Sequence, residues 1–260
     1  MQPSLPPVIE CLNLGVSVPG RTLVENLELA LSRGEFLAIL GQNGAGKTLT
    51  LHTLAGLRAP ATGSIRLNGV PLSDLSRRQI ATGLALVPQD ADDVFPATVQ
   101  ETVLVGRHPH IRALQWESAA DHNVARGALA CVGLAAFADR DVTTLSGGER
   151  RRVAIAQALT QQPGLFLLDE PTNHLDPQHQ LQIMRLFAAA AGDGGTVIAS
   201  LHDVNLAARF ATRCLLLHGN GSWELGATAE ILNEDGLSNL YCTPMEAVPW
   251  RDGQLFIAAS

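Results

Sequence analysis

Apolar residues follow two different periods along this chain, and where one gives way to the other the fold can be laid out. Residues 8–31 alternate loosely, IECLNLGVSV and then TLVENLELAL, and Pro19-Gly20 between them predicts an antiparallel strand pair with a turn. EFLAIL (35–40) is a short unbroken apolar run that stops at a glycine-rich turn, after which residues 47–57 carry helix-compatible spacing. GSIRLNG predicts another strand, LSDLSRRQ a polar helix start, and GLALVPQ a further strand. From about residue 90 to 144 β-branched runs become few, and VQETVLVG and ESAADHNVARGALACVGL show amphipathic helical spacing. Strand and helix then alternate again: a helix from Gly148, strand GLFLLDE, helix PQHQLQIMRLFAAAA, strand GTVIASLHD, helix VNLAARFA and strand RCLLLHG. A hairpin, EAVPW-RDG-QLFIA, comes last. This pattern predicts an α/β fold with a mainly parallel sheet, an N-terminal antiparallel β part and an inserted helical part, divided as residues 1–89, 90–144 and 145–260.

Bulk composition narrows the function classes. With 260 residues, 46% of them hydrophobic, the chain can bury a full core. A net charge of −7 leaves no basic footprint for nucleic acid and would repel an anionic membrane surface, so attachment to a membrane has to run through a protein partner. The stretch MQPSLPPVIE has neither a basic n-region nor an apolar h-region, and no window reaches the roughly 18 apolar residues of a membrane span, which predicts a cytoplasmic protein. Cys11, Cys131, Cys214 and Cys242 show no metal spacing and read as small buried hydrophobes in a reducing compartment. His108 and His110 lack a third ligand nearby, so they read as surface residues rather than a metal site. Arg150 to Arg152 read as a solvated helix face, one of them within the influence of phosphate. Asp90, Asp92 and Asp93 read as a solvated loop, or as a surface meeting a basic element of a partner.

The candidate chemistry begins at GQNGAGKT (41–48), which matches G-x-x-x-x-G-K-[ST] between a predicted strand and a predicted helix. Glycines at 41, 44 and 46 let backbone N–H groups close on phosphate oxygens, the helix N-terminus adds partial positive charge, and Thr48 offers a hydroxyl to Mg²⁺. Lys47 is the only lysine among 18 cationic side chains. A loop wrapped on β- and γ-phosphates has space for a compact ammonium on a thin stem but little for a planar guanidinium fork. In LFLLDE, Asp169 and Glu170 end a predicted buried strand: Asp169 suits Mg²⁺, through water, and Glu170 suits polarising an attacking water. The plainer reading is a helix N-cap ahead of Pro171.

Adding LSGGE (145–149), Gln89 in LVPQD, NHLD (173–176) and His202 in SLHD, the chain resembles the nucleotide-binding subunits of ABC transporters over nearly its whole length, in that family's motif order. The resemblance implies a P-loop NTPase core that binds ATP and Mg²⁺, with Gly41, Gln42, Asn43, Gly44, Ala45, Gly46, Lys47, Thr48 and Leu49 around the nucleotide. It also implies two copies sandwiching two ATP head to tail, so that Ser146, Gly147, Gly148 and Glu149 of one face the γ-phosphate at Lys47 of the other. Thr48, Gln89 and Asp169 would meet the metal; Glu170, His202 and Gln89 would be catalytic; Asp176 would relay across the dimer. Three positions depart from the family pattern: Val18 where an aromatic residue usually stacks on adenine, Leu49 for a second hydroxyl residue, and Gln157 for an arginine.

TVQETVLVGRHPH (98–110) and NHLDPQHQ look like the subfamily that powers uptake of cobalamin, ferric siderophores and haem, with cobalamin the first expectation. That implies a peripheral ATPase on the cytoplasmic face of the inner or plasma membrane. Its partners would be two copies of a multi-helix permease and, indirectly, an extracellular or periplasmic binding protein, with no nucleic acid. The second reading is a soluble ABC ATPase of translation or DNA repair, since NHLD is shared with translation factors. Against it, this chain holds one cassette, and the 56 residues between Gln89 and Ser146 are too few for a long coiled coil.

Overall fold

The computed structural model describes residues 6–89, 96–112, 114–251 and 253–259. In chain order, β1 (Ile9–Val18) and β2 (Arg21–Leu31) precede β3 (Phe36–Leu40) and α1 (Lys47–Leu54). Next come β4 (Thr62–Leu67), β5 (Val70–Pro71), α2 (Arg77–Gly83) and β6 (Leu84–Val87). Three helices follow, α3 (Val99–Leu104), α4 (Ala119–Cys131) and α5 (Gly147–Thr160). The pattern then alternates through β7 (Leu165–Asp169), α6 (Pro177–Gly192), β8 (Thr196–Ser200), α7 (Val204–Phe210) and β9 (Arg213–Leu217). The last elements are β10 (Trp223–Ala227), α8 (Thr228–Ile231), α9 (Glu234–Tyr241), β11 (Met245–Trp250) and β12 (Gly253–Ala258).

The main sheet has the order β10-β9-β3-β8-β7-β6, parallel throughout except where β10 pairs antiparallel with β9. Its central strands are continuous apolar runs because both faces are covered. On one face Leu37, Ile39, Leu165, Leu167 and Ile198 pack with Leu51 and Leu54 of α1 and with the antiparallel sheet β2-β1-β4-β5. On the other, Phe36, Ala38, Phe166, Leu168 and Val197 meet the helices through Ile155, Met184 and Phe187. The Phe166 and Phe187 rings lie edge to face, 5.3 Å between centroids.

Several elements depart from the sequence reading. β10, α8 and α9 are additional: α9 buries only Leu237 and Leu240, and Gly236 stands in its first turn, so its period is too short to register. Cys11 and Cys214 are buried, and burial pushes their thiols up to about 12 and about 11. Cys131 and Cys242, expected in the core, are exposed, because one is the last residue of α4 and the other caps α9 in a left-handed conformation. The aspartates at 90, 92 and 93 lie outside the described residues. His110 Nε2 is bonded to the Gln161 carbonyl at 2.8 Å, and His108 stands 4.0 Å from Glu117.

α3 and α4 both pack on α5. Their connection passes so close to α5 that a Cβ on Gly106 would stand 2.3 Å from the Gln157 carbonyl oxygen. Arg107, the next residue, ties the turn down by bonding Asp121 at 2.8 Å and the Thr160 carbonyl at 3.0 Å. Gly106→Ala therefore forces the turn off α5 and should cost about 1–3 kcal/mol by overpacking. Calorimetry should show Tm falling by roughly 2–4 °C for each kcal/mol in a chain of this size.

Candidate nucleotide site

Strands β3, β8, β7 and β6 are consecutive neighbours and run parallel, so the segments after Leu40, Ser200, Asp169 and Val87 emerge at one edge of the sheet. These segments are the glycine-rich loop, the stretch before His202, the Glu170–Asp176 turn and Gln89. They enclose a cleft of about 550 Å³ lined by Leu23, Asn43, Gly44, Gly46, Lys47, Thr48, Leu49, Gln89, Glu170, Asn173, His174 and His202.

The loop's shape follows from two glycines. A Cβ on Gly41 would sit 2.6 Å from the Leu217 carbonyl oxygen of the neighbouring strand, and Gly46, at φ 104°, would bring one to 3.1 Å from Leu23 Cβ. Gly46 also precedes α1 without any side-chain cap, which leaves the first amides of the helix for an anion. Lys47 Nζ rests 2.9 Å from the Gly41 carbonyl and 3.4 Å from that of Gln42. Burial lowers the Lys47 ammonium below its ordinary value, while the nearby charges of Glu170 and Asp169 oppose that shift. Gln42 points elsewhere: its Nε2 donates to the Leu240 carbonyl of α9 at 3.0 Å. Gly41, Gln42 and Ala45 support the loop without lining the cleft.

Across the cleft, Glu170 follows β7 in a left-handed conformation, φ 49°, a strained position for a non-glycine residue. Its carboxylate is held from two sides: His202 Nε2 lies 2.5 Å from Oε1, and Asn173 Nδ2 donates to Oε2. Its own N–H donates to Ser200 Oγ at 2.9 Å, and Ser200 Oγ in turn donates to Asp169 Oδ1 at 2.6 Å. The capping reading of the acidic pair does not fit, since no helix starts at Pro171 and α6 is capped by Asp176. Asp169 is fully buried, and its Oδ2 has no partner. An orphaned carboxylate oxygen beside the hydroxyl-bearing loop is a hard-oxygen donor set of the kind Mg²⁺ takes, with phosphate and water completing the shell. Carboxylate, imidazole, ammonium and open helix amides on one cleft are the parts that phosphoryl transfer to water requires.

The signature segment lies apart. Ser146 and Gly147 are exposed, Gly148 and Glu149 half-buried, and none of the four lines the cleft. Ser146 caps α5 in a capping box with Glu149, whose carboxyl is held below the ordinary range chiefly by the Ser146 backbone N–H. Asp176 caps α6 and bonds His179 N and Nδ1 at 2.9 and 2.8 Å. Val18 does not reach the cleft, where Leu23 stands instead. Sequence reading missed Asn173 and Ser200 as carboxylate partners, and it misplaced the arginines. Arg151 is 3% exposed, and Arg150 and Arg152 bond the carbonyls of Leu145 and Val132. The available signal was spacing: Arg151, Ile155 and Ala158 fall on one helix face, and all three are buried.

A family model described as ABC transporter matches residues 24–173. The chain belongs to the ABC transporter family. A shorter match, residues 139–208, is to an AAA domain described as an AbiEii-type toxin of a Type IV TA system. The hemin import ATP-binding protein of Rhodopseudomonas palustris strain HaA2 is 42% identical over 220 residues, covering 81% of each chain. That of Streptomyces coelicolor is 39% identical over 248 residues, 94% of this chain and 87% of the relative. Among solved structures, a chain from an inward-facing transporter described as metal-chelate type superposes with a TM-score of 0.84 at 30% identity, covering 98% of both. A dimeric bacterial ABC transporter cassette gives 0.76 at 28% identity, over 85% of this chain and 98% of that one. As an ABC ATPase, the protein hydrolyses ATP.

Because Lys47 is the sole lysine, its state can be read without background from other side-chain amines. Its lowered pKa should let an amine-reactive reagent label it at a pH below that needed for an ordinary lysine, near 10.4. Mass spectrometry should show MgATP protecting it; equal labelling with and without MgATP would place the ammonium away from the phosphates.

Proposed function

We propose that the protein is the ATPase subunit of a haem importer, working as a head-to-tail pair in which each cleft is completed by the partner's signature. The observation that carries the ATPase mechanism is the Glu170 carboxylate, fixed between His202 and Asn173 on the same cleft as Lys47. ATP phosphates draw Lys47 Nζ from the Gly41 carbonyl, a weaker acceptor than phosphate. Thr48, Gln89 and Asp169 would hold Mg²⁺, which when bound would supply positive charge against the negative charge developing in phosphoryl transfer. Glu170 accepts a proton from the attacking water, and His202 fixes its carboxylate while reaching the γ-phosphate. Ser146 to Gly148 of the second copy supply another nest of small-residue amides to the same phosphate, and Asp176 lies on the surface between copies. The exposure of Ser146, Gly147 and Asp176 in a single chain supports this pairing.

Transport follows from the insert, read as residues 90–144, which lies between Gln89 and the signature. Leu114 and Trp116 on it are large, apolar and exposed, as a surface contacting a permease would be. No helix among the described residues is long and apolar enough to cross a membrane, so the channel is assigned to a separate permease, two copies of each subunit. A helix of that permease, docked beside the insert, would make closure of the ATPase pair and opening of the channel one equilibrium biased by nucleotide. Haem takes the place of cobalamin as first cargo because the relatives above are named for hemin import.

Glu170→Gln should slow turnover about 10²–10⁴-fold, the range of general-base catalysis, while still binding ATP and forming an ATP-dependent dimer in light scattering. Undiminished turnover would remove Glu170 from its role. In liposomes carrying ATPase and permease, labelled haem should enter only with ATP on the ATPase side, and Glu170→Gln should stop it. Uptake of cobalamin or a ferric siderophore instead would reassign the cargo. Outward transport, or a pull-down of ribosomal proteins without a permease, would overturn the importer.

A further inference from the structure

The side chain of Arg151 reaches across the molecule in an unusual way. It is buried at 3% exposure on the first turns of α5, five residues past Ser146. Its Nη1 donates to the carbonyls of Pro88 and of Gln89, the latter at 3.2 Å. Its Nη2 donates to the Asp169 carbonyl, and its Nε lies 3.4 Å from that of Pro171. Pro88 and Gln89 follow β6, Asp169 is the last residue of β7 and Pro171 lies just beyond it, so these acceptors stand where the pairing of β6 with β7 has run out. A planar fork with five N–H donors can satisfy all of them at once; a point-charge ammonium cannot. The far end of the same helix is tied to the same strand, since Gln161 Nε2 donates to the carbonyls of Ala81 and Leu84, the latter at 2.6 Å. Helix α5 is thus fastened to β6 at both of that strand's ends.

We infer that Arg151 is a positioning residue which makes the placement of the signature and the placement of Gln89 and the Asp169–Glu170 pair a single event. Ser146 caps α5 less than two turns from Arg151, roughly 7.5 Å along the axis at 1.5 Å per residue. A helix displacement that brings Ser146 to the opposite nucleotide therefore carries the guanidinium, and with it the backbone on which Gln89, Asp169 and Glu170 sit. Arg151 is not among the residues that line the nucleotide cleft. It acts on turnover and leaves the Lys47 loop, to which none of these four bonds runs, unchanged. The inference rests on the ATPase roles proposed above.

The test uses the full-length protein with Arg151→Ala and Arg151→Lys, each alone and in a Gln89→Ala background. Arg151→Ala should lower kcat at least about 10-fold while the Kd of a fluorescent ATP analogue stays within about 2-fold, the signature of an interaction used in the transition state. Arg151→Lys keeps the stem and one charge but not the fork; it should fall between the two, with Tm unchanged, and it keeps the test open if the alanine variant does not fold. In the Gln89→Ala background the kcat loss from either Arg151 change should shrink at least about 3-fold, because part of what the arginine positions is already gone. Losses that multiply independently of Gln89, a fall in nucleotide affinity matching the fall in kcat, or undiminished kcat in both variants would overturn the inference. Failure of Glu170→Gln to slow hydrolysis would instead count against the ATPase roles and leave the Arg151 coupling measurement readable on its own.

Discussion

Four adjacent parallel strands, covered on both faces, have to release their chains at the same edge, and every part of the candidate site depends on that constraint. Because β3, β8, β7 and β6 share one polarity, the glycine loop, His202, Glu170 and Gln89 converge although 161 residues separate Gly41 from His202. The burial that forces the convergence also sets the electrostatics. Asp169 ends a strand with no exposed residue, so its carboxylate depends on Ser200 and on whatever else approaches Oδ2. A site on an antiparallel sheet would alternate its loops between two edges and lose half of this set.

How much of this could be read from the sequence depends on whether the cause was local. Runs such as LFLLD and TVIAS have no alternative in water but a strand covered on both sides, and GQNGAGKT specifies its own turn through its glycines. The predicted hairpin EAVPW-RDG-QLFIA pairs as β11 and β12. Features with distant causes were illegible. Arg151 looks like a surface charge until four carbonyls at and just beyond the ends of β6 and β7 gather on it, and Asn173 reads as part of NHLD until Glu170 adopts its left-handed turn. Cys131 and Cys242 were misplaced because exposure at a helix end depends on where the helix stops, and weak periodicity does not fix the stop.

The cleft and the signature are built with different degrees of self-sufficiency. Glu170, His202 and Asn173 hold one another within a single chain, and Lys47 is held by carbonyls of its own loop on the same cleft. Ser146 and Gly147, by contrast, are the exposed beginning of a finished, capped helix that lies apart from the cleft of its own chain. Both surfaces offer N–H donors to an anion, so a phosphate held between them would join them, and the family to which the chain belongs includes dimeric cassettes.

The hydrogen bond from Gln42 to Leu240 spans 198 residues, and Gly41 leans on the Leu217 carbonyl. The nucleotide loop is encoded near the start of the chain, yet two of its walls are made near the end. During synthesis at about 5–20 residues per second, a nascent chain would carry the complete GQNGAGKT sequence for roughly ten seconds or more before those walls exist. The loop's chemistry is thus written early in the chain and its rigidity late.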